Sequence, residues 1–205
     1  MALEGLAVHI LLVADGETSR FTESGAKTDS AALARRNAAA TAACEIMGCA
    51  SVETLGLPDN RLDGLELLDV VKHVEAFVDR YQPVTLLTHH GGDINVDHRV
   101  LHEAVLAACR PRPNHPVKEL LFFEVPSSTE WRPPNSAEPF CPNWFVDIST
   151  TLPLKLKALE AYESELRAFP HPRSLKAVTA LACWRGATVG VEAAEAFVVG
   201  RKIIK

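Results

Sequence analysis

Apolar residues recur along this chain in two patterns, one typical of buried strands and the other of amphipathic helices. Residues 6–14 form a nearly continuous apolar run that stops at the turn pair Asp15-Gly16, which indicates a strand covered on both faces. Residues 65–81 instead carry an apolar residue every third or fourth position, which predicts a helix. These two patterns predict strands at residues 6–14, 51–55, 84–87, 120–125 and 144–148, and helices at 29–47, 65–81, 98–109, 153–168 and 174–184.

The predicted elements alternate between strand and helix, which favours an α/β fold with a mostly parallel sheet and helices on both faces. Residues 191–204 are expected to add an edge strand. The chain has 205 residues and neither an internal repeat nor a dividing linker, so we expect one domain over residues 1–205. Residues 126–142 contain five prolines and little periodicity, and they are expected to form a long surface loop of the kind that often serves function.

Charge and composition narrow the classes of partner. A net charge of −5 without a basic block argues against nucleic acid or an anionic membrane as the main partner. No apolar run is long enough to span a bilayer, and the N-terminus does not resemble an export signal. Five scattered cysteines suit reduced thiols better than a disulfide framework. We therefore expect a cytoplasmic protein with a small-molecule substrate.

The candidate chemistry is concentrated between Thr88 and His102, where a predicted strand ends and a helix begins. Ligands of open α/β sheets bind at this edge, and two glycines allow the backbone to approach a ligand closely. Three histidines and two aspartates lie within ten residues of one another, and these residue types supply metal ligands and acid or base groups. They are His89, His90, Asp93, Asp97 and His98.

Simpler interpretations of these residues remain open. Asp97 is placed where it could act only as a helix N-cap. His102 follows His98 by one turn, and it is more easily explained as a hydrogen-bonded histidine than as a ligand. Either His89 or His90 could bond the edge of the sheet. The density of the cluster at this position in the fold is what indicates a site.

The string from His89 to Arg99 resembles the second signature of the LmbE-like, or PIG-L, zinc-dependent de-N-acetylases. Further similar strings cover nearly the whole chain, and they resemble a bacterial branch associated with sugar and glycoconjugate biosynthesis. These strings lie at residues 11–16, 58–63, 123–131, 169–174 and 190–197. The resemblance implies a Rossmann-like sheet and hydrolysis of the acetamide of an N-acetylated amino sugar. In that chemistry zinc polarises the carbonyl and activates a water molecule.

The resemblance also implies roles for individual residues. His98 matches a zinc ligand, and Asp97 matches a neighbouring carboxylate that tunes or orients catalytic groups. Asn95 stands where many relatives carry histidine, and asparagine can neither take a positive charge nor donate a proton, so Asp93 is a candidate to take over from that histidine. Candidate substrate contacts are His90, Arg36, and the pair His171 and Arg173 in a proline-bracketed turn.

The family's first signature, His-Pro-Asp-Asp-Glu, which brings two further zinc ligands and the general base, does not occur in this sequence. We expect that about 20 residues, containing the family's first strand, are missing before Met1. The zinc site would then be incomplete, because catalytic zinc normally has three protein ligands. Three hypotheses follow, in order: a natural start further upstream, an inactive short form, or a different site built from His89, His90, Asp93, His98 and His102.

Two further expectations complete the sequence interpretation. Trp131, in the proline-rich loop, either stacks on a sugar ring or packs the loop onto the domain. Family members are often homo-oligomers, and the strand edges exposed by the missing strand would favour self-association. The competing functional classes are a non-catalytic remnant that keeps only a sugar-binding or structural role, and a nucleotide-binding protein. The latter is disfavoured because no Gly-x-Gly-x-x-Gly string follows a strand.

Overall fold

The computed structural model describes residues 2–20 and 30–204, and it alternates strands with helices as the sequence predicts. The strands are β1 (His9–Ala14), β2 (Ser51–Leu57), β3 (Thr85–His89), β4 (Glu119–Phe123), β5 (Trp144–Asp147) and β6 (Ala194–Lys202). The helices are α1 (Ser30–Met47), α2 (Leu67–Tyr81), α3 (Val96–Ala108), α4 (Leu152–Glu160) and α5 (Leu175–Ala187). Short 3-10 turns at Leu62–Gly64, Thr129–Trp131 and Glu163–Glu165 lie in the connections.

The strands form two separate sheets. In one, β1 pairs with β2 in parallel, and in the other the order is β3-β4-β6-β5. Strands β3 and β4 are parallel, whereas β6 runs antiparallel to both of its neighbours. Among the described residues no ladder joins β1 to β3, so each of these strands has one edge without a strand partner. Parallel pairing is thus found between β1 and β2 and between β3 and β4, and the pairs made by β6 are antiparallel.

The last strand is not the edge strand that the sequence pattern predicted. Strand β6 lies between β4 and β5, with Phe197 opposite both Phe123 and Trp144. A strand with partners on both edges has its backbone groups satisfied and its small side chains covered, and Ala194 and Ala196 are indeed buried. The edge position belongs to β5 instead.

Helices cover both faces of the four-stranded sheet. Val70, Val74 and Val78 recur at helical spacing along α2 and pack with α3 and with two side chains of β4, Leu120 and Phe122. Leu121 lies between those two residues and is equally buried, so it faces the opposite side of the sheet. Helix α5 packs against β6, and α4 contacts both α5 and α1. No helix in the described ranges is long and apolar enough to cross a bilayer.

Helix α4 is shorter than predicted, because the periodic pattern was expected to continue to residue 168. The helix ends at Glu160, and a 3-10 turn follows at Glu163–Glu165. This turn brings Glu165 within hydrogen-bonding distance of Arg36 and Arg173. The Glu165 carboxylate therefore forms ion pairs with both arginines at the point where the chain turns after α4.

Candidate functional site

The segment between β3 and α3 lies at the carboxyl end of β3, and two glycines there permit close packing. A Cβ atom added to Gly91 would lie 2.9 Å from the ring of His102. One added to Gly92 would lie 2.1 Å from the carbonyl oxygen of Glu138 and 2.6 Å from Nε2 of His90. The loop therefore packs against α3 on one side and against the proline-rich loop on the other.

Asp93 is the most deeply buried polar residue of this segment, with no exposed surface. Its carboxylate accepts hydrogen bonds from the Ser128 hydroxyl, from Thr129 Oγ1 at 2.7 Å and from the backbone N–H of Asn95 at 2.8 Å. Its Oδ2 atom also lies 3.2 Å from Nδ1 of His98. Burial alone would raise the pKa of Asp93, but these hydrogen bonds outweigh it and hold the pKa well below its usual range.

Sequence reasoning missed Ser128 and Thr129, both of which are buried. The available signal was their place in the proline-rich loop that was expected to serve function. A hydroxyl in a loop has no periodicity that would show which distant carboxylate it bonds, so its partner could not be identified from the chain alone.

The two ring nitrogens of His98 have different surroundings, because Nδ1 lies against Asp93 and Nε2 does not. Its Nδ1 lies 3.2 Å from Oδ2 of Asp93 and 3.4 Å from the Ser128 hydroxyl, and in the tautomer with the proton on Nδ1 the lone pair is on Nε2. The side chain is 18% exposed, and Nε2 has no hydrogen-bond partner among the described residues. An aspartate that fixes the tautomer and orientation of a histidine in this way prepares Nε2 to take a proton or to bind a Lewis acid.

His89 lies directly against His98, with the ring centroids 4.0 Å apart and the ring planes 20° from parallel. Its Nδ1 is buried without a partner in the described part of the chain. Burial, and after it the neighbouring His98 imidazole, lowers the pKa of His89 to about 3. His89 is therefore a neutral ring at physiological pH that packs under His98.

The low pKa of His89 predicts an acid-sensitive fold. Unfolded His89 would bind a proton below its ordinary pKa of 6.5, whereas folded His89 stays neutral down to about 3. Stability is then complete above that ordinary value and falls as the pH drops, by up to about 1.4 kcal/mol per pH unit. Urea unfolding between pH 7.5 and 4.5 measures this slope, and His89→Asn should have a shallower one. Equal slopes in the two proteins would contradict the assignment.

These residues do not form a zinc site on their own. No group of three or more His, Cys, Asp or Glu side chains within residues 2–20 and 30–204 is arranged to hold a metal ion. The lone pairs of stacked imidazoles lie in nearly parallel planes, so His89 and His98 cannot converge on one ion. The oxygens of Asp93 are already bonded. Within this cluster, Nε2 of His98 is a partly exposed ring nitrogen that can bind a metal.

The residues of the alternative site, His89, His90, Asp93, His98 and His102, do not converge as a set of metal ligands in the described part of the chain. Nδ1–H of His102 donates a 2.9 Å hydrogen bond to the backbone oxygen of His89, which confirms His102 as a hydrogen-bonded histidine. The Nε2 atom of His90 lies 2.9 Å from the carbonyl oxygen of Glu138, and its buried ring meets Phe140 edge to face. His90, a candidate substrate contact, thus contacts the proline-rich loop.

Asn95, and not Asp97, caps the start of α3. Asn95 is the N-cap of α3 and accepts hydrogen bonds from the backbone N–H groups of Asp97 at 2.8 Å and His98 at 3.4 Å. Asp97 lies inside the helix, so the interpretation of Asp97 as the cap is wrong. Its carboxylate accepts from the backbone N–H groups of Asn60 at 2.6 Å and Leu62 at 3.0 Å. Burial raises its pKa despite these bonds.

Two of the candidate substrate residues bond Glu165, and a third contacts one of these two. Its two oxygens accept hydrogen bonds from Arg36 at 2.7 Å and from Arg173 at 2.8 Å. Arg36 also lies over Gly16, just beyond the end of β1, where a side chain would leave no room for the guanidinium. His171 accepts a 3.0 Å hydrogen bond at Nδ1 from the backbone N–H of Arg173, and its ring contacts Trp131.

Comparison with known proteins gives a family match for the first half of the chain. Residues 1–109, more than half of the sequence, match the family model described as PIG-L: GlcNAc-PI de-N-acetylase. No curated protein matches the chain at a significant level of sequence similarity.

Solved structures match over almost the whole chain. GalB, the 4-carboxy-2-hydroxymuconate hydratase from Pseudomonas putida, has a TM-score of 0.72 at 20% identity, covering 100% of this chain and 88% of that one. The conserved protein TT1542 from Thermus thermophilus has a TM-score of 0.75 at 23% identity, covering 99% and 86%. The N,N'-diacetylchitobiose deacetylase from Pyrococcus horikoshii has a TM-score of 0.73 at 17% identity, covering 98% and 75%. These similarities confirm the predicted Rossmann-like α/β fold.

Proposed function

Because this chain belongs to the PIG-L family of de-N-acetylases, we propose that it is a hydrolase that removes the acetyl group from an N-acetylated amino sugar. The observation that carries the proposal is the orientation of His98 at the carboxyl end of β3. Oδ2 of Asp93 lies 3.2 Å from Nδ1 of His98, so a proton held on Nδ1 leaves a lone pair on Nε2 of this partly exposed imidazole. Solved deacetylases of similar fold make this chemistry the leading candidate.

Asp93, Asn95 and Asp97 act in this proposal as positioning residues. Asp93 sets the orientation of His98, and Asn95 fixes the start of the helix that carries it. Asp97 holds residues 60–62, which follow β2, against the same helix. Each of these three side chains already accepts hydrogen bonds from other parts of the protein, and so contact with substrate is assigned to His98.

Hydrolysis of an amide needs more than one imidazole nitrogen. A base must activate water, an electrophile must stabilise the tetrahedral oxyanion, and an acid must protonate the leaving amine. Zinc bound to three protein ligands supplies part of this in metal-dependent hydrolases. The described residues contribute one of those ligands, so turnover requires groups beyond Asp93 and His98.

A second candidate function is binding of the amino sugar without hydrolysis. It is favoured by the specific observation that the metal-ligand set does not converge among the described residues. The two functions share the same edge of the sheet, and they differ in whether acetate is released.

The test is release of acetate from N,N'-diacetylchitobiose by the purified protein, with bound zinc measured on the same sample. For a hydrolase, His98→Ala should lower acetate release by about 10²–10⁴-fold, the usual cost of removing a catalytic acid, base or ligand. The matched control is His73→Ala, since His73 is an exposed histidine on α2. Sugar binding without acetate release would support the second function. Acetate release that is equal in the parent and in His98→Ala would contradict the placement of the reaction at His98.

A further inference from the structure

Trp131 ends a short turn that is fixed to the Asp93–His98 pair. The two residues before Glu130, Ser128 and Thr129, both donate hydroxyl hydrogen bonds to Asp93. The turn is closed by hydrogen bonds from Thr129 N to Val125 O at 3.0 Å and from Trp131 N to Ser128 O at 3.3 Å. The backbone that carries the indole is therefore held by the carboxylate that also lies against His98.

Trp131 is half exposed and half covered. It is 50% exposed, and its ring contacts His171 in the turn before α5, so it packs part of its surface onto the domain and leaves the rest accessible. Exposure alone is not distinctive, because Trp184 on α5 is 65% exposed. Trp131 differs because it lies between two groups of candidate site residues. Its ring centroid is 5.9 Å from that of His171, with the two rings nearly perpendicular, and Thr129 in the same turn donates a hydrogen bond to Asp93.

His171 supplies a hydrogen-bond donor beside this indole. Its Nδ1 accepts from the backbone N–H of Arg173, so in the neutral ring the proton lies on Nε2. Arg173 is itself 39% exposed at its side chain, and it retains N–H groups beyond the one that bonds Glu165. An aromatic face next to such donors is complementary to a pyranose, which has apolar C–H faces and a rim of hydroxyl groups.

We propose that Trp131 and His171 form a sugar-binding subsite, in which a pyranose ring of the substrate stacks on the indole beside the reaction centre at His98. This inference rests on the proposed function for its substrate class, and it adds which residues select a carbohydrate. The subsite explains why a large apolar ring remains exposed at this edge of the sheet. In this subsite, the hydrogen bonds from Ser128 and Thr129 to Asp93 hold the backbone of the turn that carries Trp131.

Binding of N,N'-diacetylchitobiose, followed by calorimetry, tests the subsite independently of turnover. Trp131→Ala should weaken binding by about tenfold or more, and Trp131→Phe should recover part of the loss because a smaller aromatic face remains. His171→Ala should weaken binding by a smaller factor. Trp184→Ala is the matched control, and it should bind as the parent does.

The outcomes separate the subsite from the proposed function. If the parent binds the disaccharide and Trp131→Ala binds it equally well, the subsite is wrong, whereas His98-dependent acetate release would still support the hydrolase. If the parent does not bind the disaccharide at millimolar concentrations, the subsite is also wrong, and acetate release then decides the proposed function alone. Circular dichroism of each variant identifies any loss that is due to misfolding, and in that case Trp131→Phe provides the decisive comparison.

Discussion

Replacing Asp93 by alanine is expected to lower the free energy of unfolding by about 3–5 kcal/mol. The substitution removes the acceptor that two buried hydroxyls and one backbone N–H share, and the carboxylate that lies against the partly exposed His98 ring. Buried donors without an acceptor lose their interaction with water and gain none from the protein. Urea unfolding at pH 7 measures the loss.

Asp79→Ala is the matched control for this substitution, because Asp79 is an exposed aspartate on α2. Its effect should stay within about 0.5 kcal/mol. A variant at Asp93 that unfolds at the same urea concentration as this control would show that the carboxylate does not organise the site. Because the pKa of Asp93 is depressed, its contribution is present above the ordinary pKa of an aspartate, and it is lost only as the pH falls below that value.

Gly92→Ala should destabilise the protein by about 3 kcal/mol. Its Cβ would lie 2.1 Å from the carbonyl oxygen of Glu138, and a backbone oxygen cannot rotate away as a flexible side chain would. The proline-rich loop would have to shift, and the contact between His90 and Glu138 would be broken. Since the same loop carries the hydroxyls that bond Asp93, acetate release and sugar binding should fall together with stability.

The control for Gly92 is Gly64→Ala, because a Cβ atom at Gly64 would meet nothing within 4 Å. Its backbone conformation is also open to alanine, since Gly64 is not among the glycines with positive φ. Thermal unfolding of the two variants provides the comparison. If Gly92→Ala is as stable as Gly64→Ala, the close approach between the two loops is wrong.

The local features of this fold were predictable, whereas the pairing of distant segments was not. The periodicity of α2 predicts its length and its buried face, because both depend on residues within a few turns of one another. The direction of β6 depends on strands that lie far away along the chain, so an apolar run alone could not distinguish an edge strand from a central one. The same limit applies to the pairs that Asp93 makes with Ser128 and Thr129.

In the candidate site too, the local features were predictable and the contacts between distant segments were not. The cluster from His89 to His98 was visible because its residue types are dense within one short segment. Two capping residues, Asn95 and Asp97, both suit a helix start, and the choice between them depends on where the backbone enters the helix. The link from Trp131 to His171 crosses forty positions of sequence. Such contacts follow from the packing of the loops, which no local pattern encodes.

The division of the strands into two sheets has a thermodynamic consequence. With no backbone ladder between β1 and β3 in the described ranges, opening the β1–β2 unit would leave the hydrogen bonds of the four-stranded sheet intact. The two units are coupled instead by side-chain contacts, such as those of Asp97 with residues 60–62 and of Arg36 with Glu165. A ligand that contacts both units would strengthen this coupling, so its binding energy would appear partly as greater cooperativity of unfolding.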